Sequence, residues 1–160
     1  MILAYSISRK TLKSERHGMK MEVKFYKLNE IEDHLLKYAV IASHYKNKWI
    51  YCKHKERDTW EIPGGRREDG ETIIKTAKRE LFEETGAIEY QLQPLSVYSV
   101  NRDRVSYGLL CYAEITKLDA LPESEIERIE FFDVEPSELT YPEILPKLFE
   151  AVKELGVCSE

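Results

Sequence analysis

The 160-residue chain contains no CxxC pair, and its three cysteines, Cys52, Cys111 and Cys158, are odd in number and widely spaced. That pattern excludes a disulfide framework and reads as reduced thiols, the first two on strands. The four histidines, His17, His34, His44 and His54, show no metal-site spacing, which excludes an imidazole–thiolate zinc centre. No stretch approaches the length of a transmembrane helix. The apolar start at Met1–Tyr5 is soon broken by Ser6, Ser8, Arg9 and Lys10, so neither a membrane span nor a signal-peptide core is expected, and the expected location is the cytoplasm. Net positive charge is also lacking, with 24 Lys and Arg against 29 Asp and Glu. A net charge of −5 argues against a duplex-DNA-binding protein, yet leaves room for a phosphate-bearing ligand held by metal and a few arginines. Repeats, low-complexity tracts and internal linkers are absent as well. With 42% hydrophobic and 33% charged residues, the composition is that of an ordinary globular domain rather than a disordered chain. One domain is expected over residues 22–156, with an N-terminal extension at 1–21 and a tail at 157–160.

Short apolar runs punctuated by turn residues predict strands. Val23, Phe25 and Leu28 suggest the first, and Asn29–Lys37 a polar connection or short helix. Tyr38–Ala42 reads as a buried strand, and Trp49–Cys52 as its return across the turn Tyr45–Lys48. Thr59–Ile62 is a further short strand, ended by Pro63 before Gly64 and Gly65, where the backbone can bend and approach a ligand closely. Leu95–Val100 and Val105–Ile115 predict two longer strands, and Ile126, Ile129, Phe131 and Phe132 another. Helical spacing covers Thr72–Thr85, with Ile73, Ile74, Ala77 and Leu81 on one face, Thr72 as N-cap and Gly86 at the C-terminal stop. A second helix is expected over Pro142–Leu155. Mixed strands with two helices indicate an α+β domain rather than a doubly wound series.

One stretch carries chemistry. Between Gly65 and Ala87 stand Glu68, Asp69, Glu71, Glu80, Glu83 and Glu84. Glu80, Glu83 and Glu84 fall at i, i+3 and i+4, on one edge of the helix and beside its apolar stripe. Carboxylates crowded in this way repel unless a cation or shared protons compensate, and oxygen donors suit hard divalent metals. A solvated helix face needs no glycines at fixed offsets, and this stretch has Gly65 and Gly86.

Gly65, five residues, Glu71, seven residues, then Arg79-Glu80-Leu81-Phe82-Glu83-Glu84-Thr85-Gly86-Ala87 resembles the Nudix box at every glycine, arginine and glutamate. Ala87 departs from the pattern, where a larger aliphatic is usual. The resemblance, extended to the flanking strands, spans Glu22–Leu155. It implies a Nudix-type α/β/α sandwich with a mixed sheet, and a hydrolase that cleaves the pyrophosphate linkage of a small nucleotide derivative with Mg2+, or Mn2+ in its place. Carried over by position, it implies Glu80, Glu83 and Glu84 as metal ligands, one of which could instead deprotonate the water. The Gly64 carbonyl would join the metal shell. Arg79 would be an internal counter-ion with Glu71 as its partner, framed by Gly65 and Gly86. An acid ahead of the last strand often serves these enzymes as further ligand or base. Glu125 is the first choice here, Glu127 stands close behind, and Glu114 is weaker. Trp60, Arg66 and Arg67 are candidate substrate contacts. Relatives often form homodimers, although no self-complementary patch is legible.

The short chain and its Thr59-Trp60-Glu61-Ile62-Pro63-Gly64-Gly65 entrance are most similar to MutT-type enzymes acting on oxidised nucleoside triphosphates, including 8-oxo-dGTPase-like proteins. An ADP-ribose or nucleotide-sugar pyrophosphatase, an RNA 5′ pyrophosphohydrolase and a non-catalytic nucleotide-binding module are the alternatives.

Overall fold

A computed structural model describes residues 20–156. Most of the expected extension, the expected tail, His17 and Cys158 therefore lie outside the described residues. Met21, placed in the extension from sequence, is buried in the core.

The sheet is organised around β2 (Leu36–Tyr45), whose middle is buried on both faces. A strand covered on both sides reads as an unbroken apolar run. It forms a hairpin with β3 (Lys48–His54) through Lys46 and Asn47, both with positive φ (49° and 63°), the geometry of tight two-residue hairpin turns. Further along the chain come β4 (Trp60–Glu61), β5 (Gly64–Arg66), α1 (Ile73–Thr85), β6 (Ala87–Asn101), β7 (Val105–Leu118), β8 (Ile126–Phe132) and α2 (Leu145–Glu154). With β1 (Glu22–Tyr26) the strands make one mixed sheet in the order β1-β6-β7-β2-β3-β4, with β5 paired to β2 and β8 to β3. The β2–β7 pairing is parallel and the other pairings are antiparallel.

Each face of the sheet carries a helix. Ile73, Ala77 and Leu81 of α1 pack with Ala39, Ile41, Ile50, Leu109 and Cys111. Leu145, Leu148, Phe149 and Val152 of α2 pack with Val40, Ala42, Tyr51, Leu110 and Met21 on the other side. This is the expected α/β/α arrangement.

Both caps of α1 are as expected: the Thr72 hydroxyl accepts the Lys75 N–H at 3.1 Å, and Gly86 has φ 78°. Several boundaries differ from the sequence reading, three of them substantially. First, β6 begins at Ala87 rather than Leu95, because polar residues from Glu89 to Gln93 continue a strand whose irregularity beside Pro94 absorbs that residue. Second, Gly64 and Gly65 do not simply end the preceding strand. They form β5, opposite Val40 and Ala39. Third, α2 starts at Leu145, since Tyr141–Ile144 makes only a turn.

Beside β5 the sheet forks. The first half of β2 pairs with β5, while its last residues pair with β3. The opening lies against the C-terminal half of α1.

Candidate active site

The apolar stripe that seats α1 on the sheet also sets the depth of its three carboxylates. Glu84 is the deepest, with 7% of its surface exposed. The Glu80 side chain is 14% exposed and that of Glu83 is 45% exposed. The order follows their angular distance from Ala77 and Leu81 around the helix. Opposite them, β5 makes the close approach expected of its glycines. The Gly64 N–H donates to Glu84 Oε1 at 2.8 Å. A Cβ on Gly65 would overlap the Glu80 carboxylate, so any larger residue there would push that side chain from its present position.

Arg79 ties the cluster together. Its guanidinium donates to Glu71 Oε2 (2.8 Å) and Oε1 (2.9 Å), to Glu80 Oε1 (2.8 Å), to Glu83 Oε2 (3.3 Å) and to the Arg66 carbonyl (3.0 Å). Glu71 also accepts the Glu68 N–H (2.8 Å) and the Thr76 hydroxyl (3.2 Å). The Arg79 hydrogen bonds, with these neutral donors, hold the Glu71 carboxyl down at about 2. These contacts bind Arg79 and Glu71 to each other through both carboxylate oxygens.

Burial acts in the opposite direction on the deeper acids. It pushes the Glu84 carboxyl up to about 8, with the Gly64 N–H opposing it and the charges of Glu80 and Glu61 adding to it. Glu80 is also raised, by burial against the opposing pull of Arg79. All three acids lie in the last two turns of α1, where the helix dipole is negative and the last turn holds no basic residue. Behind them, the Cys52 thiol donates to the Glu84 carbonyl at 3.4 Å, and burial keeps it protonated. Cys111 is also a buried free thiol.

The opposite wall of this cleft of about 600 Å³ is the loop before β8, with Glu123, Ser124 and Glu125. Glu125 thus lines the same cleft as Glu80, Glu83 and Glu84. Its carbonyl accepts the Lys55 N–H at 2.9 Å, and its Oε2 lies 3.4 Å from His54 Nε2. The two rival acids do not line the cleft. Glu127 pairs with Lys53 at 2.6 Å, and Glu114 binds His44 (2.8 Å) and the Tyr112 hydroxyl (2.5 Å).

The candidate substrate contacts separate. Arg66 lines the cleft and is exposed. Arg67 also lines it, but its guanidinium is engaged with the Glu71 carbonyl (2.7 Å), the Asp33 carbonyl (2.9 Å) and the Asp33 carboxylate (2.8 Å). That makes it a clamp between the loop and the 3-10 turn Asp33–Leu35. Trp60 is not among the cleft residues; its ring packs edge-on against Phe132 at 5.1 Å and beneath Arg128. Glu123 and Glu68, to which the sequence pattern assigns no role, also line the cleft. Their membership depends on loops meeting across the sheet, which local spacing does not encode.

The all-oxygen donors on α1 suit a hard divalent cation such as Mg2+. A buried acid held protonated near neutrality, at the negative end of a helix, is a group that a cation would stabilise in its charged form. Among the described residues no three acids, histidines or cysteines already enclose a metal position. Glu80 and Glu83 each give one carboxylate oxygen to Arg79.

A NUDIX domain family model matches residues 22–152. Bacillus subtilis (strain 168) YtkD, provisionally named an 8-oxo-dGTP diphosphatase, is 33% identical over 84 residues, 52% of this chain and 52% of YtkD. Mus musculus nucleoside diphosphate-linked moiety X motif 6 is 39% identical over 60 residues, 38% of this chain and 19% of that protein. The chain thus spans about half or less of the length of these curated relatives. Among solved structures, the Bacillus subtilis pyrophosphohydrolase BsRppH (E68A mutant) superposes with a TM-score of 0.73 at 24% identity, covering 87% of this chain and 93% of that one.

Proposed function

The chain belongs to the Nudix family, and on that premise we propose that it is a divalent-metal-dependent pyrophosphohydrolase acting on small nucleotides, with oxidised nucleoside triphosphates of the 8-oxo-dGTP type as substrates. One observation carries the chemistry: the box glutamates, graded from buried Glu84 to exposed Glu83, face Glu125 across a single cleft. The substrate assignment is supported by the name of the YtkD relative.

Glu80, Glu83 and Glu84, with the Gly64 carbonyl, would hold Mg2+ or Mn2+. Bound there, the cation neutralises pyrophosphate oxygens and acidifies water. The protein groups supply the remainder. Gly64 and Gly65 let the phosphates approach the backbone, and Arg66 offers a cation at the cleft rim. Arg79 and Glu71 keep the base of the carboxylate cluster rigid. Glu125, which lines the cleft with its side chain 60% exposed, takes the proton of the attacking water as the water oxygen bonds to phosphorus. The anhydride P–O bond breaks, and the bridging oxygen leaves on the second phosphate. Even with Glu84 protonated, acidic side chains outnumber the three guanidiniums that line the cleft, so a polyphosphate without accompanying cations is repelled.

The test is a phosphate- and pyrophosphate-release assay with magnesium across dNTPs, 8-oxo-dGTP, ADP-ribose, UDP-sugars, dinucleoside polyphosphates and triphosphorylated RNA. The expected result is preferential turnover of the oxidised triphosphate. Preference for another member of the panel replaces the substrate assignment. Binding without turnover of any member would make the chain a nucleotide-binding module instead.

A further inference from the structure

We infer that His54 is a positioning residue that holds the Glu125 carboxylate toward the cleft. The inference rests on the proposed role of Glu125 in hydrolysis.

His54 is the last residue of β3 and is buried at 7% exposure. The β3–β8 pairing slips at this point, with Lys53 opposite Arg128 and His54 opposite Ile126. Just past the slip, the Glu56 N–H donates to His54 Nδ1 at 3.1 Å. An Nδ1 that accepts this bond cannot also carry the ring proton, which therefore sits on Nε2. That nitrogen lies 3.4 Å from Glu125 Oε2. On the backbone, the Lys55 N–H holds the Glu125 carbonyl, and the Ser124 hydroxyl accepts the Ile126 N–H at 3.1 Å. The loop is fixed from both sides, and the imidazole reaches the one group of Glu125 that would otherwise rotate freely in solvent.

A buried histidine that merely closes a turn needs only its Nδ1 contact. In that bland case an asparagine, whose side-chain oxygen can occupy the Nδ1 position, would replace it. The proposal requires the opposite nitrogen as well. Partners that orient a functional carboxylate from behind typically change activity about 10–100-fold when removed.

The experiment compares His54→Asn, which keeps the turn bond and loses the reach to Glu125, with His54→Gln, which extends an amide N–H toward the Nε2 position. Both are made in the full chain, in the native and Glu125→Gln backgrounds, and assayed on the nucleotide that the unaltered protein hydrolyses. Expected results are a fall in kcat of roughly tenfold or more for His54→Asn with KM within about twofold, and a kcat for His54→Gln that recovers toward the starting value. Little further loss is expected when His54→Asn is added to Glu125→Gln. In a long-range 1H–15N spectrum of the metal-free protein, the His54 proton is expected on Nε2 and its resonance is expected to move in Glu125→Gln. An active His54→Asn beside a damaged His54→Gln, an equal loss in both backgrounds, or a ring proton on Nδ1 would overturn the inference. Absence of turnover by the unaltered protein would instead sink the proposed function; the spectrum then decides alone whether the imidazole contacts Glu125.

Discussion

Replacing Glu84 with Gln should make the metal-free protein more stable while it removes activity. Burial lifts the Glu84 carboxyl to about 8, so the folded protein keeps a proton that the unfolded chain releases near the ordinary carboxylate value of 4.5. Between these two values the folded state binds more protons than the unfolded state. Stability therefore falls as pH rises through this window, the reverse of the behaviour of a salt-bridged acid. One proton corresponds to about 1.4 kcal/mol per pH unit, or about 3 kcal/mol between pH 5 and pH 7.5. The amide of Gln does not ionise, and its oxygen can still accept the Gly64 N–H. Chemical denaturation of both proteins in a chelator at pH 5, 6, 7 and 8 isolates the difference, because titrations common to both cancel. The stability advantage of Glu84→Gln should grow with pH along that slope. Saturating magnesium should then restore the unaltered protein by about 2.7 kcal/mol at a hundredfold excess over its dissociation constant, but not the variant. A pH-independent difference, or a variant less stable than its parent at pH 8, would refute the reasoning.

Glu71→Gln should have the opposite sign, losing about 3 kcal/mol at neutral pH by removing the charge that Arg79 grips. Glu71 is depressed to about 2, so its contribution is complete above the ordinary value of 4.5 and disappears as pH falls toward 2; denaturation midpoints that fail to converge in acid would contradict it. Gly65→Ala should keep the circular dichroism of the fold yet lower kcat at least about tenfold, since its Cβ displaces the Glu80 carboxylate, and unchanged kinetics would rule that packing out. Tyr98→Phe should be neutral or stabilising by about 1 kcal/mol, because the buried Tyr98 hydroxyl has no hydrogen-bond partner among the described residues. A thermal melt showing a clear loss would mean that the hydroxyl is satisfied in solution.

The parts of the fold written in local chemistry were legible in the sequence. Thr72, Gly86 and the Ile73–Ala77–Leu81 stripe specify α1 and thereby the relative depth of Glu80, Glu83 and Glu84. The Lys46–Asn47 turn specifies the β2–β3 hairpin. The parallel pairing of β2 with β7 was not legible, because their contact crosses the whole α1–β6 segment and leaves no periodic mark. Two glycines conceal β5, and Glu89, Gln91, Gln93 and Pro94 conceal the first half of β6, since none of these residues favours strands intrinsically. The same division runs through the site. The helix acids came from spacing and Glu125 from its distance ahead of β8, whereas Glu68, Glu123 and His54 join only where separate segments meet. Arg67 shows the converse: its place beside the glycine turn suggested a substrate contact, but Asp33 and the Glu71 carbonyl engage it.

The central claim is that the box glutamates hold the cation on which anhydride cleavage depends. The most direct measurement is the rate of pyrophosphate release from 8-oxo-dGTP as magnesium is titrated, for the unaltered protein and for Glu83→Gln. Glu83 is the most exposed of the three acids, so its replacement disturbs packing least. Expected are no turnover in chelator, saturable turnover with magnesium, and for Glu83→Gln a rate lower by roughly 100-fold with a weaker magnesium dependence. Magnesium-independent turnover, or a Glu83→Gln titration that overlays that of the unaltered protein, would contradict the claim.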